Sequence, residues 1–265
     1  MRDEGVRLRQ ATPEDAAVLA EIGYLAFNQE PIDGHWFPHK DRYVEDYRRA
    51  ILSELTLRLV TPGEVIMLVE IDEEDCVLDK KGETEENTAK VAANSKAKKV
   101  VAYSVFVKHG SKPEDLANWS PDSLTKKIRR TLANAQEFIS SLIWPNRATD
   151  TETYRIYYEQ AHAVYQKYLD GPDSPWIDCR GLAVHPHYQR RGYGQKLLDW
   201  IGHAAWTEDV PIFGDCTEAG LPMYLKNGVE KIGKVILPAK VVDNGPGWEP
   251  IQLKEIEVTL VRLKF

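Results

Sequence analysis

Cysteine is scarce in this chain: the three present, Cys76, Cys179 and Cys216, are an odd number, widely separated and never in a Cys-x-x-Cys pair. That excludes a disulfide framework, and no metal site is expected. Cys179 and Cys216 fall in apolar stretches that read as core strands, where a free thiol acts as a small apolar group. No apolar run is long enough to span a bilayer, and the opening Met1-Arg2-Asp3-Glu4-Gly5 has no apolar signal core. A cytoplasmic protein without membrane contact is therefore expected. Basic charge is also in deficit, since 34 Lys and Arg face 41 Asp and Glu for a net charge of -7. A nucleic-acid binder would show a basic face, so no nucleic-acid partner is expected, whereas cationic amines suit such a chain better. Two familiar phosphate loops are missing as well. There is no Gly-Lys-Ser/Thr, and the third glycine of a dinucleotide fingerprint would fall where Leu197 stands. No internal repeat is visible.

What is present is an alternation of strand and helix signals, in a length compatible with one domain over residues 1–265. Val6 to Gln10 alternates as a strand. Thr12 caps a helix, with Pro13 at its first position and Asp15 three residues after the cap. Ala16, Leu19, Ala20, Ile22 and Gly23 form its apolar face. Asn28 to Lys40 reads as a loop carrying His35, Trp36 and His39, and a second helix runs from Asp41 to about Val60. Glu64 to Ile71 and Lys99 to Val107 are strands. Between them residues 72–98 are Glu-rich then Lys-rich with few large apolar groups, the composition of a mobile charged insertion. Residues 109–171 form a longer helical insertion. One helix begins at Asp122 and Ser123 and carries Leu124, Ile128, Leu132, Ala135, Phe138, Ile139 and Leu142. Another, from about Thr151 to Leu169, carries Tyr154, Tyr157, Tyr158, Tyr165 and Tyr168, which read as packing residues. Trp176 to Val184, Val210 to Cys216, Glu230 to Leu237 and Ile256 to Leu263 are the remaining strands.

The most informative segment lies between the first two of these. From Gly181-Leu182-Ala183-Val184 the chain passes through His185-Pro186-His187-Tyr188-Gln189-Arg190-Arg191-Gly192-Tyr193-Gly194-Gln195 into an amphipathic helix. Amides at a helix start lack intrahelical acceptors, and the helix dipole favours negative charge there. Gly192 and Gly194 let the backbone turn sharply and let a phosphate approach, while Arg190 and Arg191 add positive charge. Pro186 ends the strand, and His185 and His187 beside it help to shape the turn.

At Gln189, Gly192 and Gly194 the chain resembles the GCN5-related N-acetyltransferase (GNAT) family, whose acyl-CoA loop reads Gln/Arg-x-x-Gly-x-Gly/Ala. A second block, Thr217 to Val229, is similar to the family's later motif through Tyr224 and Gly228, with Val229 where a Phe is usual. The resemblance covers roughly residues 176 to 237. It implies a three-layer α/β/α fold with a central mixed, mostly antiparallel sheet splayed between the fourth and fifth strands. It implies acetyl-CoA as acyl donor and an amine as acceptor. The pyrophosphate would rest on the amides of Gln189, Arg190, Arg191, Gly192, Tyr193, Gly194 and Gln195. Pantetheine would pair with Leu182, Ala183 and Val184, and a free strand amide there would face the thioester oxygen.

Further roles follow from the same resemblance. Tyr224 is the expected acid for the departing thiolate. Asp178 is the leading base, assigned by strand alternation to the face of Leu182 and Val184, with Glu218 and Asp215 as competing carboxylates. The long insertion and the early loop would wall the acceptor pocket, which favours a small amine. A protein lysine or N-terminal acetyltransferase and a non-catalytic acyl-CoA sensor remain the alternatives. Acceptor identity, acyl-chain preference and oligomeric state stay open at this point.

Overall fold

The computed structural model describes residues 5–72, 98–110, 112, 116, 119–171 and 173–263. The charged stretch between Asp72 and Lys98, with Cys76 in it, lies outside the described residues.

Strand β1 (Val6–Gln10) leads into a 3-10 turn, Pro13–Asp15, and helix α1 (Ala16–Phe27). Thr12 and Asp15 make a reciprocal cap, with the Thr12 amide donating to Asp15 at 2.7 Å. Asp15 is also clamped by the Arg9 guanidinium at 2.7 and 2.8 Å, so the cap ties β1 to α1. The expected early loop contains a short helix, α2 (Pro31–Trp36), started by its proline. Next come α3 (Val44–Arg58), β2 (Glu64–Asp72), β3 (Lys98–His109), α4 (Leu124–Ile143) and α5 (Thr151–Tyr165). The chain continues with β4 (Trp176–Val184), α6 (Tyr193–Glu208), β5 (Ile212–Cys216), α7 (Leu221–Lys226) and β6 (Glu230–Leu237). A small hairpin of β7 (Lys240–Val242) and β8 (Ile251–Leu253) precedes β9 (Ile256–Leu263). The hairpin is absent from the sequence reading because its strands are three residues each, too short for an alternating pattern to register.

Seven strands form one sheet in the order β1-β2-β3-β4-β5-β9-β6. Among the described strands only β4 and β5 run parallel, and every other neighbour is antiparallel. The central strands β2 and β3 are buried along nearly their whole length, as strands covered on both faces must be. Helix α6 packs through Leu197, Leu198 and Ile201 on one face. On the other face α1 and α3 cover the first half of the sheet through Leu19, Ile22 and Leu55, and α5 covers the second half through Tyr157 and Tyr165. This is the three-layer α/β/α arrangement.

The parallel ladder is short. It pairs Ile177, Asp178 and Cys179 with Ile212, Phe213 and Gly214 and then stops, although β4 continues to Val184. Beyond Cys179 the two strands splay, and a cleft opens in the middle of the sheet.

Candidate active site

A cavity of about 780 Å³ fills this cleft. Its first half is the turn between β4 and α6. Arg190 and Gly192 both lie in the left-handed region, at φ 61° and 86°. Left-handed residues alternating with others are the backbone pattern that turns successive amides toward one point, as anion cradles do. Gly194 sits where a Cβ would come within 3.1 Å of Met223 Sδ and 3.3 Å of Leu182 Cδ2, so its lack of a side chain keeps α6 against α7 and β4. The Gln189 side chain donates to the Val184 carbonyl at 3.2 Å, fixing the turn to the end of the strand. His185 accepts from the His187 amide at 3.3 Å and helps to shape the turn.

Leu182, Val184, Gln189, Arg190, Gly192, Tyr193, Gly194 and Gln195 all line the cavity. Ala183 points instead into the core beneath α1, which leaves its backbone as the part of interest. Arg191 turns away, donating to the His187 carbonyl at 3.2 Å with its guanidinium 5.3 Å from the Tyr188 ring.

The second half of the cavity is walled by helices. Trp36 from α2, Glu54 and Arg58 from α3, and Tyr154 and Tyr158 from α5 face it, together with Phe27, Glu30 and Tyr103. The early segment and the tyrosine helix therefore meet here. Tyr157 and Tyr165 are buried packing residues, while their neighbours Tyr154 and Tyr158 reach the cavity. Of the early histidines, His35 bonds the Lys254 carbonyl at 2.9 Å and His39 bonds Asn244 at 3.2 Å, so both fasten the hairpin region.

Tyr224 lines the cavity on the α7 side, with its hydroxyl 3.9 Å from Cys179 Sγ. Burial lifts its pKa well above the ordinary tyrosine value, and the nearby Cys179 and Asp215 add to the rise. It therefore holds its proton at neutral pH.

Asp178 is displaced from its expected face by a bulge. In the β3–β4 ladder Phe106 pairs with Cys179 and Val105 with Gly181, leaving Arg180 as an extra residue. Ser104 stabilises this kink by donating to the Gly181 carbonyl at 2.9 Å. The extra residue reverses the alternation, so Ile177 and Cys179 share a core cluster with Leu182 and Val184, and Trp176 belongs to the opposite one. Asp178 goes with Trp176. It is buried beside Arg180, whose Nε donates to it at 2.9 Å, and it is absent from the cavity wall. Burial raises its pKa and the Arg180 charge opposes the rise.

Glu218 is exposed and its neighbours Thr217 and Ala219 line the cavity without it. The carboxylate that does reach the cavity from this side is Asp215, next to the last residue of β5. Burial pushes its pKa up to about 7, with the Asp178 charge adding and Arg180 opposing. Arg180 itself stacks 4.8 Å from the Tyr158 ring at the cavity wall. Among the described residues no cluster of three His, Cys, Asp or Glu could hold a metal ion.

Residues 148–231, which carry the turn, Tyr224 and Asp215, match the family described as Acetyltransferase (GNAT) domain. An acetyltransferase from the fungus Stachybotrys chartarum is 36% identical over 76 residues, a match that covers 29% of this chain and 31% of that relative. Residues 148–231 thus carry a domain similar to those of the GNAT superfamily. Among solved structures, the polyamine N-acetyltransferase of Drosophila melanogaster aligns over 98% of this chain and 100% of its own, with TM-score 0.50 and 11% identity. The mosquito arylalkylamine N-acetyltransferase like 5b aligns over 97% and 98%, with TM-score 0.49 and 16% identity. At such identity the first of these likenesses speaks for the GNAT fold and no further.

Proposed function

We propose that this protein transfers an acetyl group from acetyl-CoA to a small amine by direct attack of the amine on the thioester. The observation that carries this reading is the continuity of one cavity from the cationic turn, through the splay, to a chamber roofed by α2, α3 and α5. The turn offers the diphosphate convergent amides and Arg190. The extended backbone of Leu182 to Val184, unpaired on the β5 side, fits the pantetheine as an added strand and offers donors to the developing oxyanion.

On either side of the splay stand the groups for proton movement. Asp215, poised near neutrality, accepts a proton from the incoming ammonium, directly or through water. As nitrogen bonds to the carbonyl carbon and the carbon–sulfur bond breaks, Tyr224 gives its proton to the sulfur, and the second proton shed by the nitrogen returns to the Tyr224 phenolate through water. Asp215 serves this role better than Asp178, which is held by Arg180 away from the cavity. Glu218 has no place in the step.

The chamber favours a small cationic acceptor over a peptide. Glu30, Glu54 and Asp215 supply carboxylates, and Trp36, Tyr154 and Tyr158 supply ring faces for an ammonium. The Trp36 indole N–H is buried without a hydrogen-bond partner among the described residues. The test is release of CoA thiol from acetyl-CoA with a panel of alkyl, aromatic and poly-amines, alongside lysine-bearing and free-N-terminal peptides. Turnover with small amines that collapses in Tyr224→Phe supports the proposal. Turnover confined to peptides, or tight CoA binding with no turnover on any acceptor, overturns it in favour of a protein acetyltransferase or an acyl-CoA sensor.

A further inference from the structure

Two arginines line the chamber, and they are used differently. Arg58 is fully spent on protein partners: Nε and Nη2 donate to Glu54 at 2.9 and 2.7 Å, and Nη1 donates to Glu64 at 2.8 Å. Arg180 is not. Its Nε donates to the buried Asp178 at 2.9 Å, and Nη1 and Nη2 have no hydrogen-bond partner among the described residues. The side chain keeps 23% of its exposure, and the residue lines the cavity. Asp178 behind it and the Tyr158 ring 4.8 Å from it hold the guanidinium in one orientation. A planar fork fixed in this way is preorganised for a carboxylate, which it can hold through two parallel hydrogen bonds.

The place of the fork says what must carry that carboxylate. Cys179 and Gly214 are the last pair of the parallel ladder, so Arg180 and Asp215 are the next residue on each strand, facing each other across the start of the splay. Both belong to the chamber side of the sheet: Arg180 leans on Tyr158 of α5, and Asp215 alternates with Phe213, which packs under α5. Among the described residues no ion pair joins them, since that of Arg180 is to Asp178. Paired strands lie about 4.8 Å apart and splayed ones farther, a gap that an ammonium and a carboxylate joined through one carbon can bridge. An amine with no anionic group would have to set its ammonium on Asp215 beside the unmatched charge of Arg180, a penalty that discriminates against it. A peptide N-terminus offers only a neutral amide at that point.

We infer that the acceptor is an α-amino acid with an apolar side chain, its amine on Asp215, its carboxylate in the Arg180 fork and its side chain against Trp36 and Tyr154. This rests on the acetyl-transfer reading above and gives the buried Asp178 a part in it, as the group that positions Arg180. The test uses L-phenylalanine, L-phenylalaninamide and 2-phenylethylamine, which share a ring and an amine and differ at the carboxylate. Calorimetric titration into the CoA-loaded protein should show L-phenylalanine binding at least about 10-fold more tightly than the other two, and kcat/KM with acetyl-CoA should follow the same order. Arg180→Lys, which keeps a cation for Asp178 and removes the fork, should narrow that preference. The double variant Asp178→Asn, Arg180→Gln, which strands no buried charge, should lower the ratio of L-phenylalanine to 2-phenylethylamine in kcat/KM by about 10- to 100-fold. A general loss of structure would leave that ratio unmoved. Equal binding of the three probes, binding of none, or a ratio unchanged in the double variant overturns the inference, and turnover of 2-phenylethylamine would then still uphold acetyl transfer to an amine. An equal loss on all three also overturns it, by making Arg180 an electrostatic neighbour of Asp215 without a part in selection. Carboxylate-selective binding with no release of CoA thiol from any amine would do the reverse, supporting the amino-acid site and sinking the acetyl-transfer reading.

Discussion

The Tyr224 hydroxyl lies 3.9 Å from the Cys179 sulfur, joining α7 to β4 at the residue where the parallel ladder ends. The phenol is thus held at the apex of the splay, where the thioester sulfur would lie. Tyr224→Phe is expected to lower kcat by about 100-fold, the low end for loss of a general acid, with KM for acetyl-CoA nearly unchanged. The thiol contact is weak, so stability should fall by less than about 1 kcal/mol. Steady-state kinetics and thermal melts on the same preparation separate the two effects.

The role proposed for Asp215 predicts a pH signature. With its pKa near 7, kcat/KM for the amine should fall about tenfold per pH unit below that value, and Asp215→Asn should abolish this limb along with most of the activity. The same shift has a stability consequence of opposite sense to the usual carboxylate. Because the folded pKa lies above the unfolded one, the folded state binds the extra proton between about pH 4 and 7, and stability is lost as pH rises through that window. Asp215→Asn should therefore melt higher than wild type at pH 8, by an amount on the order of 1–3 kcal/mol, and equal to it at pH 4. A variant less stable at pH 8 would show that the carboxylate is held by contacts that outweigh its burial.

Much of this site was legible in the residues themselves. Gln189, Gly192 and Gly194 announce a backbone cradle because the left-handed φ at Gly192 and the close approach of Met223 and Leu182 at Gly194 favour glycine there, and Tyr224 follows in a short helix at the right remove. The strands were legible because five or more alternating or continuously apolar residues leave a clear period. The face of Asp178 was not, since one bulged residue, Arg180, inverts every side chain after it without any local mark in composition. Nor was the way α4 turns, with Lys126 and Arg130 bonded to Ser120 and Val60 and with Leu132 exposed: periodicity shows that a helix has an apolar face, and only packing shows which way that face turns. The chamber residues Glu30, Glu54 and Arg180 were invisible for a related reason, because they converge from three elements far apart in the chain.

Gly192 tests the anion cradle. At φ 86° any L-residue is strained, so Gly192→Ala should cost about 1–2 kcal/mol of stability and weaken CoA binding together. Gly194→Ala should separate the two. Its new methyl meets the flexible end of Met223 at 3.1 Å, so the fold should yield at little cost while the displaced Met223 and Leu182 narrow the cavity and raise KM for acetyl-CoA. Calorimetric titration with CoA beside thermal melts reads both variants.

Behind the chamber, Lys40 sits on Asp33 at 2.6 Å, and Tyr47 donates to the same carboxylate oxygen at 2.8 Å. Asp33 is buried, burial raises its pKa, and the Lys40 charge is the main force opposing that rise. Removing only the cation strands a buried carboxylate, the costly way to break such a pair. Lys40→Met should lose about 3–5 kcal/mol near neutral pH. The deficit should shrink as pH falls, because Asp33 without its partner escapes by taking up a proton. The double variant Lys40→Met, Asp33→Asn should recover most of the loss at neutral pH, since the remaining amide is neutral and still accepts from Tyr47. Urea unfolding of the three proteins at pH 5 and pH 8 checks the sign, and a loss in Lys40→Met independent of pH would mean that its methylene packing matters more than its charge.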